Sequence, residues 1–166
     1  VKRSSALVAV ILAVIIIAVG GYSYYEFAST GNMAISVSDL PSSNVTAVYI
    51  TFTDVALHSN TSGWQNFTVD KTVNIYGLTT SNASLLANIS LHAGKYTMIR
   101  LYISKVVVTI AGQNYTFSTS AHFAFINHPF TVSAHSTTSV TIEFDLRSDL
   151  NLQSRIFTPY VGFTTG

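Results

Sequence analysis

The sequence predicts a mainly β protein, an antiparallel β-sandwich of about seven to eight strands behind one hydrophobic N-terminal helix. Three observations point there. Short runs rich in Val, Ile, Tyr, Phe and Thr recur with apolar and polar residues alternating, and clusters of Gly, Asn, Ser and Pro separate them. Only the stretch from Ala6 to Val19 is apolar without interruption for the length of a helix. Of 166 residues, setting aside roughly thirty for that segment leaves about 135, a common size for one domain. The expected division is a helix and neck over 1–30 and one extracellular β-sandwich domain over 31–166.

No charge interrupts Ser4 to Tyr25, and at about 1.5 Å per helical residue that run reaches roughly 33 Å, close to the hydrocarbon thickness of a bilayer. Lys2 and Arg3 precede it, and Tyr22, Tyr24 and Tyr25 close it. A basic flank followed by an aromatic belt places the C-terminal body outside the cell. Three fates are open to the segment. It is a signal cleaved after the small residues of Ala18-Val-Gly20, an uncleaved anchor, or a helix stored in the membrane and later withdrawn into a filament of identical subunits. In the last case its assembly contacts fall to Leu7, Val10, Ile11, Val14, Ile15, Ile16, Tyr22 and Tyr24. A thread-like variant has cleavage near Gly20 freeing Tyr22 to Val37 to complete the next subunit's sheet by strand addition.

The body reads as strands in order. Ser29 to Asn32 breaks the helix and serves as a neck, and Met33, Ile35 and Val37 share one face of a first strand. A turn follows at Asp39 to Ser43. From Val45 to Leu57, Val48, Ile50 and Phe52 point one way and Tyr49, Thr51 and Thr53 the other. Trp64 to Val69 and Thr72 to Tyr76 are two short strands or one bent at Asp70-Lys71, and Ala83 to Ala87 is a helical turn. Lys95 to Ile110 is a second long strand with Ile99, Leu101, Ile103 and Val107 inward, closed by a hairpin at Ala111 to Asn114. Pro129 belongs at an edge or bend. Val140, Ile142, Phe144 and Leu146 alternate with Thr141, Glu143 and Asp145 as a half-buried strand. The spacing suits an immunoglobulin-like sandwich.

Lys2-Arg3-Ser4 running straight into the apolar segment resembles the processing region of archaeal type IV pilins, where a basic and a small residue precede the cut. The body has its own resemblance. Val48-Tyr-Ile-Thr-Phe-Thr-Asp-Val-Ala-Leu-His58, Trp64 after a Gly, Ala93-Gly-Lys-Tyr-Thr-Met-Ile-Arg-Leu101, the Gly112 hairpin and Val140-Thr-Ile-Glu-Phe-Asp-Leu146 are similar to a prokaryotic family of exported domains of unknown function. That likeness implies a sandwich at the cell surface behind a lipoprotein signal or anchor. The usual lipid-modified cysteine is missing, so tethering falls to the apolar helix.

Composition removes several function classes. Charged residues are 9% of the chain and the net charge is +1, so no basic stripe exists to neutralise nucleic-acid phosphates. Without cysteine there is no disulfide framework or thiol nucleophile. Six asparagines, Asn44, Asn60, Asn66, Asn82, Asn88 and Asn114, head Asn-x-Ser/Thr triplets, where chance in so Ser/Thr-rich a chain gives about two or three. N-linked glycans at these positions would keep a nearly uncharged surface soluble. The five histidines lack metal-ligand spacing. Glu143 and Asp145 form the one carboxylate pair resembling an acid/base couple, although two polar residues on the wet face of a strand explain them as well. Arg100 and Arg147 read as cross-strand partners of carboxylates.

The resulting expectation is a non-enzymatic subunit of an extracellular filament, archaeal pilus or thread-like, serving adhesion and surface attachment. It has no cofactor or metal beyond N-linked glycans. Its partners are identical subunits, the membrane before assembly, and a surface or glycan target. The alternative is a monomeric membrane-anchored surface domain that binds an envelope component or glycan.

Overall fold

The computed structural model describes residues 2–39 and 44–166, with helix side chains described at 14–25 and from Ala28 onward. Helix α1 spans Lys2–Ser29 and runs directly into strand β1, Thr30–Asp39. The expected neck is thus shorter than predicted, because Thr30 to Asn32 are already paired with β4. The turn expected at Asp39 to Ser43 lies, beyond Asp39, outside the described residues.

The body is a two-sheet β-sandwich, as the alternation predicts. Its strands are β2 (Val45–Ser59), β3 (Gly63–Asn74), β4 (Ser84–His92), β5 (Gly94–Ile110), β6 (Gln113–Thr119), β7 (Phe123–Ile126), β8 (Phe130–Val132), β9 (Thr137–Phe144), β10 (Leu150–Asn151), β11 (Ile156–Phe157) and β12 (Val161–Thr165). A short helix α2, Leu146–Asp149, follows β9. The smaller sheet is ordered β12-β9-β1-β4; the larger is β10-β11-β6-β5-β2-β3, with β7 and β8 also on β5. The twelve strands among the described residues exceed the predicted seven or eight because β4 lies where a helical turn was expected, and because β8, β10 and β11 are pairings of two or three residues with no period to read. Pairing is mostly antiparallel, but β1 runs parallel to β9 and β11 to β6.

The core lies between the sheets. Met33, Ile35 and Val37 of β1, Ile142 and Phe144 of β9, and Val48, Ile50 and Phe52 of β2 are all buried. Phe52 and Phe144 meet across the interface with ring centroids 6.1 Å apart. At about 25 cal/mol per Å² of apolar surface, this interdigitation supplies most of the favourable free energy of folding.

Bulges explain where the sequence reading departs from the structure. Opposite Phe52 and Val55 of β2 the register slips on both sides, and Asp70 of β3 takes φ 46°. Trp64 to Asn74 is therefore one strand bent at Asp70, the second of the two readings. Ser104 is the extra residue where Thr51 faces Lys105 and Phe52 faces Ile103, so the buried set moves from Ile103 to Val106 and Val108. Val107, expected inward, is only half-buried for that reason. Ala83 to Ala87 is not a helical turn: a 3₁₀ turn at Thr80–Asn82 precedes strand β4. A register shift opposite Ile35 and Ser36 puts Leu86 and Ile89 in the core three residues apart, a spacing that imitates a helix. The β5–β6 turn is tight, with Ala111 at φ 50° and Gly112 at φ 78°, the left-handed pair that a two-residue hairpin requires.

Candidate functional site

Leu7, Val10 and Ile11 lie in α1 with side chains outside the described residues. The other assembly positions, Val14, Ile15, Ile16, Tyr22 and Tyr24, stand between 52% and 74% exposed, so their apolar surface finds no cover within the chain. Among the residues whose side chains are described, which in α1 begin at Val14, no helix is long and apolar enough to cross a membrane. The end of the helix is fastened to the body by a hydrogen bond from the Ala93 amide to the Ser29 carbonyl.

All six sequon asparagines are exposed. Asn66 and Asn88 lie on β3 and β4, the strands at the ends of their two sheets. Asn44 precedes β2, Asn60 sits in the β2–β3 turn, and Asn114 is the second residue of β6. The Asn114 Oδ1 accepts the Thr109 hydroxyl at 2.7 Å, and Asn82 Oδ1 accepts that of Thr79 at 2.9 Å. An N-linked sugar attaches at Nδ2 and leaves both acceptors in place.

The expected carboxylate couple is divided. Glu143 stays on β9 and accepts the Thr164 hydroxyl at 3.1 Å. Asp145 lies past the strand end, where its Oδ2 accepts the Ser148 hydroxyl at 2.9 Å and Arg147 lies 3.6 Å away. The Ser148 hydroxyl, with Arg147 beside it, holds the Asp145 carboxyl below its ordinary range. Sequence reasoning missed the carboxylates that are buried. Asp39 takes amide hydrogen bonds from Gly77 at 3.2 Å and Leu146 at 3.4 Å, and Asp149 takes one from Tyr160 at 2.9 Å. Burial pushes Asp39 up to about 6 and Asp149 up to about 7, with the Asp145 charge adding to both and the amide bonds opposing. The Asp149 Oδ2 has no partner, which suits a protonated carboxyl. These groups join three chain segments; the only sequence signal for them was the scarcity of charge.

The histidines do not converge. His58 shares a 2.8 Å hydrogen bond with Thr97, and His128 packs 4.6 Å from the Phe163 ring. Among the described residues no group of three or more His, Cys, Asp or Glu is placed to hold a metal ion.

The outer face of the larger sheet carries a feature the sequence reading misjudged. Arg100 pairs with no carboxylate among the described residues. Its guanidinium carbon lies 4.0 Å from the Trp64 ring centroid, 4.9 Å from Phe123 and 5.8 Å from Phe125. Trp64 and Arg100 belong to β3 and β5, with β2 between them, so the two side chains meet above Ala56. Ala56 is small enough to allow this and is 1% exposed although it faces outward. The His58 ring meets Trp64 edge-on at 5.1 Å. The result is an aromatic and cationic patch whose rings meet edge to face.

No curated protein matches the chain. Among solved structures, a candidate cell adhesion protein from Bacteroides ovatus is similar over 83% of this chain, at 8% identity and a TM-score of 0.26. The chain spans 44% of that protein's chain, and a likeness of this degree carries no argument about function. Residues 30–159, from the first residue of β1 to just past β11, match the family described as a domain of unknown function (DUF4382). The match begins where α1 ends and takes in the sandwich through β11, and the chain belongs to that family.

Proposed function

We propose that this chain is a structural subunit of a cell-surface filament. It joins copies of itself through α1 and presents a glycosylated β-sandwich to the medium for adhesion and surface attachment. One observation carries the reading: Ile15, Ile16 and Ile17 are 52%, 70% and 73% exposed, whereas the body buries the inward apolar face of each of its regular strands. Such a helix needs a bilayer before assembly and sister helices after it, since transfer into water is unfavourable by roughly 1.5–3 kcal/mol per large side chain. Ala13, Ala18, Gly20 and Gly21 supply small positions for close helix approach. Six exposed sequon asparagines fit a body that faces an exporting cell's surroundings.

The helical-core version of assembly is favoured over strand donation. Met33, Ile35 and Val37 are each fully buried between β4 and β9 of their own chain, so donating that stretch would first empty the centre of the smaller sheet. Electron microscopy of surface material from expressing cells tests the proposal, the expected result being filaments of regular subunits whose N-terminal sequence retains Ala6 to Val19. Expressing cells without filaments, with the chain extracted only by detergent as a monomer, would establish the alternative of an anchored surface domain. The apolar character of α1 on all sides gives that alternative its support.

A further inference from the structure

Trp64 is the chain's one tryptophan, and it stands outside the core on the outer face of a sheet-end strand, 36% exposed. Two residues along β3 on the same face is Asn66, which heads the triplet Asn66-Phe67-Thr68. Side chains at i and i+2 of a strand point the same way about 6.7 Å apart, so a sugar on Asn66 begins within reach of the indole. The other sequon asparagines on strands have no such neighbour: Leu86 and Ser90 flank Asn88, and Gly112 and Thr116 flank Asn114. In cross-strand register Asn66 faces Ala56, and Ala56 faces Arg100, so the sequon shares a row with the guanidinium. The Arg100 Nε is buried with no hydrogen-bond acceptor, although the group is flanked by three rings.

We infer that the outer face of the larger sheet is a bed for this chain's own N-linked glycan, with the first sugar on Asn66 packed on the ring face of Trp64 that the Arg100 guanidinium leaves free. The inference rests on the glycosylated-surface reading above. In forming the linkage, Asn66 Nδ2 bonds to the anomeric carbon of a lipid-linked sugar phosphate. The sugar–phosphate bond breaks, phosphate leaves with its electron pair, and the amide gives up one proton. A pyranose ring presents a face of C–H groups, which matches an indole face whose opposite side is held by a guanidinium. The site is prebuilt: Gly63 at φ 68° and the Ser59–Ser62 hydroxyl bond of 2.7 Å set the turn that delivers Trp64. Thr68 donates to Asp54 at 3.2 Å on the same face.

Because Trp64 is the sole tryptophan, its emission reads the bed directly. The full chain is purified from a glycosylating host as wild type, Asn66→Gln and Asn88→Gln, with occupancy of each sequon established by glycopeptide mass spectrometry. The expected result is an occupied Asn66, with acrylamide quenching of Trp64 weaker in wild type and Asn88→Gln than in Asn66→Gln. Trp64→Phe should also lower the melting temperature by about 2–4 °C more in the wild-type background than in Asn66→Gln. Equal quenching with Asn66 occupied would overturn the inference, as would an unoccupied Asn66 beside modified sequons elsewhere. Protection of Trp64 that persists in Asn66→Gln filaments but vanishes on dispersal would assign the patch to a neighbouring copy. None of these results bears on whether filaments form, which microscopy decides separately.

Discussion

Ile15 and Ile16 in α1 are 52% and 70% exposed, while Ile35 in β1 and Ile142 in β9 are fully buried. The side chain is the same; the arrangement around it differs. In the body, apolar residues alternate with polar ones, so each strand has one face to hide and another sheet to hide it against. In α1 the apolar residues occupy every side, and the described side chains from Val14 to Tyr25 are all exposed. The comparison teaches that the body's stability is internal and the helix's is borrowed from a bilayer or from sister subunits.

The comparison is broken most severely on the helix side. Ile15→Asp combined with Ile16→Asp removes two apolar positions and adds two charges, about 6–8 kcal/mol against burial in an apolar environment. The expected outcome is loss of filaments and of membrane retention, seen by microscopy and fractionation, with Trp64 fluorescence unchanged because the body folds as before. On the body side, Phe144→Ala leaves a hole where Phe52 and Phe157 meet Phe144 at 6.1 and 6.2 Å. It should lower stability to denaturant by about 3–5 kcal/mol.

Gly31→Ala tests the junction of the two regions. A Cβ there would come within 2.2 Å of the Ser133 carbonyl oxygen and 2.9 Å of Val132 Cγ1. Backbone has to give, at roughly 1–3 kcal/mol, measurable as a lower melting temperature.

A pH slope tests the buried carboxylates of the body. Below the ordinary carboxyl value of 3.8, Asp39 and Asp149 are protonated in both folded and unfolded chains. As pH rises, the unfolded chain ionises first, while the folded chain holds its protons to about 6 and about 7. The folded state then binds more protons, so these two groups make stability fall from pH 4 toward pH 7. Asp149→Asn keeps an acceptor for the Tyr160 amide and should flatten that fall; an unchanged slope in denaturant titrations would remove Asp149 as its source.

Much of the body was legible because its strands are long and regular. Met33-Ile35-Val37, Val48-Ile50-Phe52 and Val140-Ile142-Phe144 each present an uninterrupted alternation, and each is buried as predicted. Val107 and the stretch Ala83 to Ala87 were misread because a bulge inserts one residue and shifts every later side chain to the opposite face. The site was harder to read. Arg100 looked like half of an ion pair because a lone cation on a strand ordinarily finds a carboxylate. That it lies over Trp64, Phe123 and Phe125 depends on β3, β5 and β7 sharing one sheet.

From the sequence alone came the apolar helix, the six sequons, the absence of a basic stripe or metal motif, and the inward face of each regular strand. All are local properties, set by residue type and by period along the chain. Tertiary structure decided that β1 runs parallel to β9, that Asp39 and Asp149 are buried, and that Arg100 lies over Trp64. Those facts rest on contacts between residues far apart in sequence, and closing such long loops leaves no periodic trace in the chain.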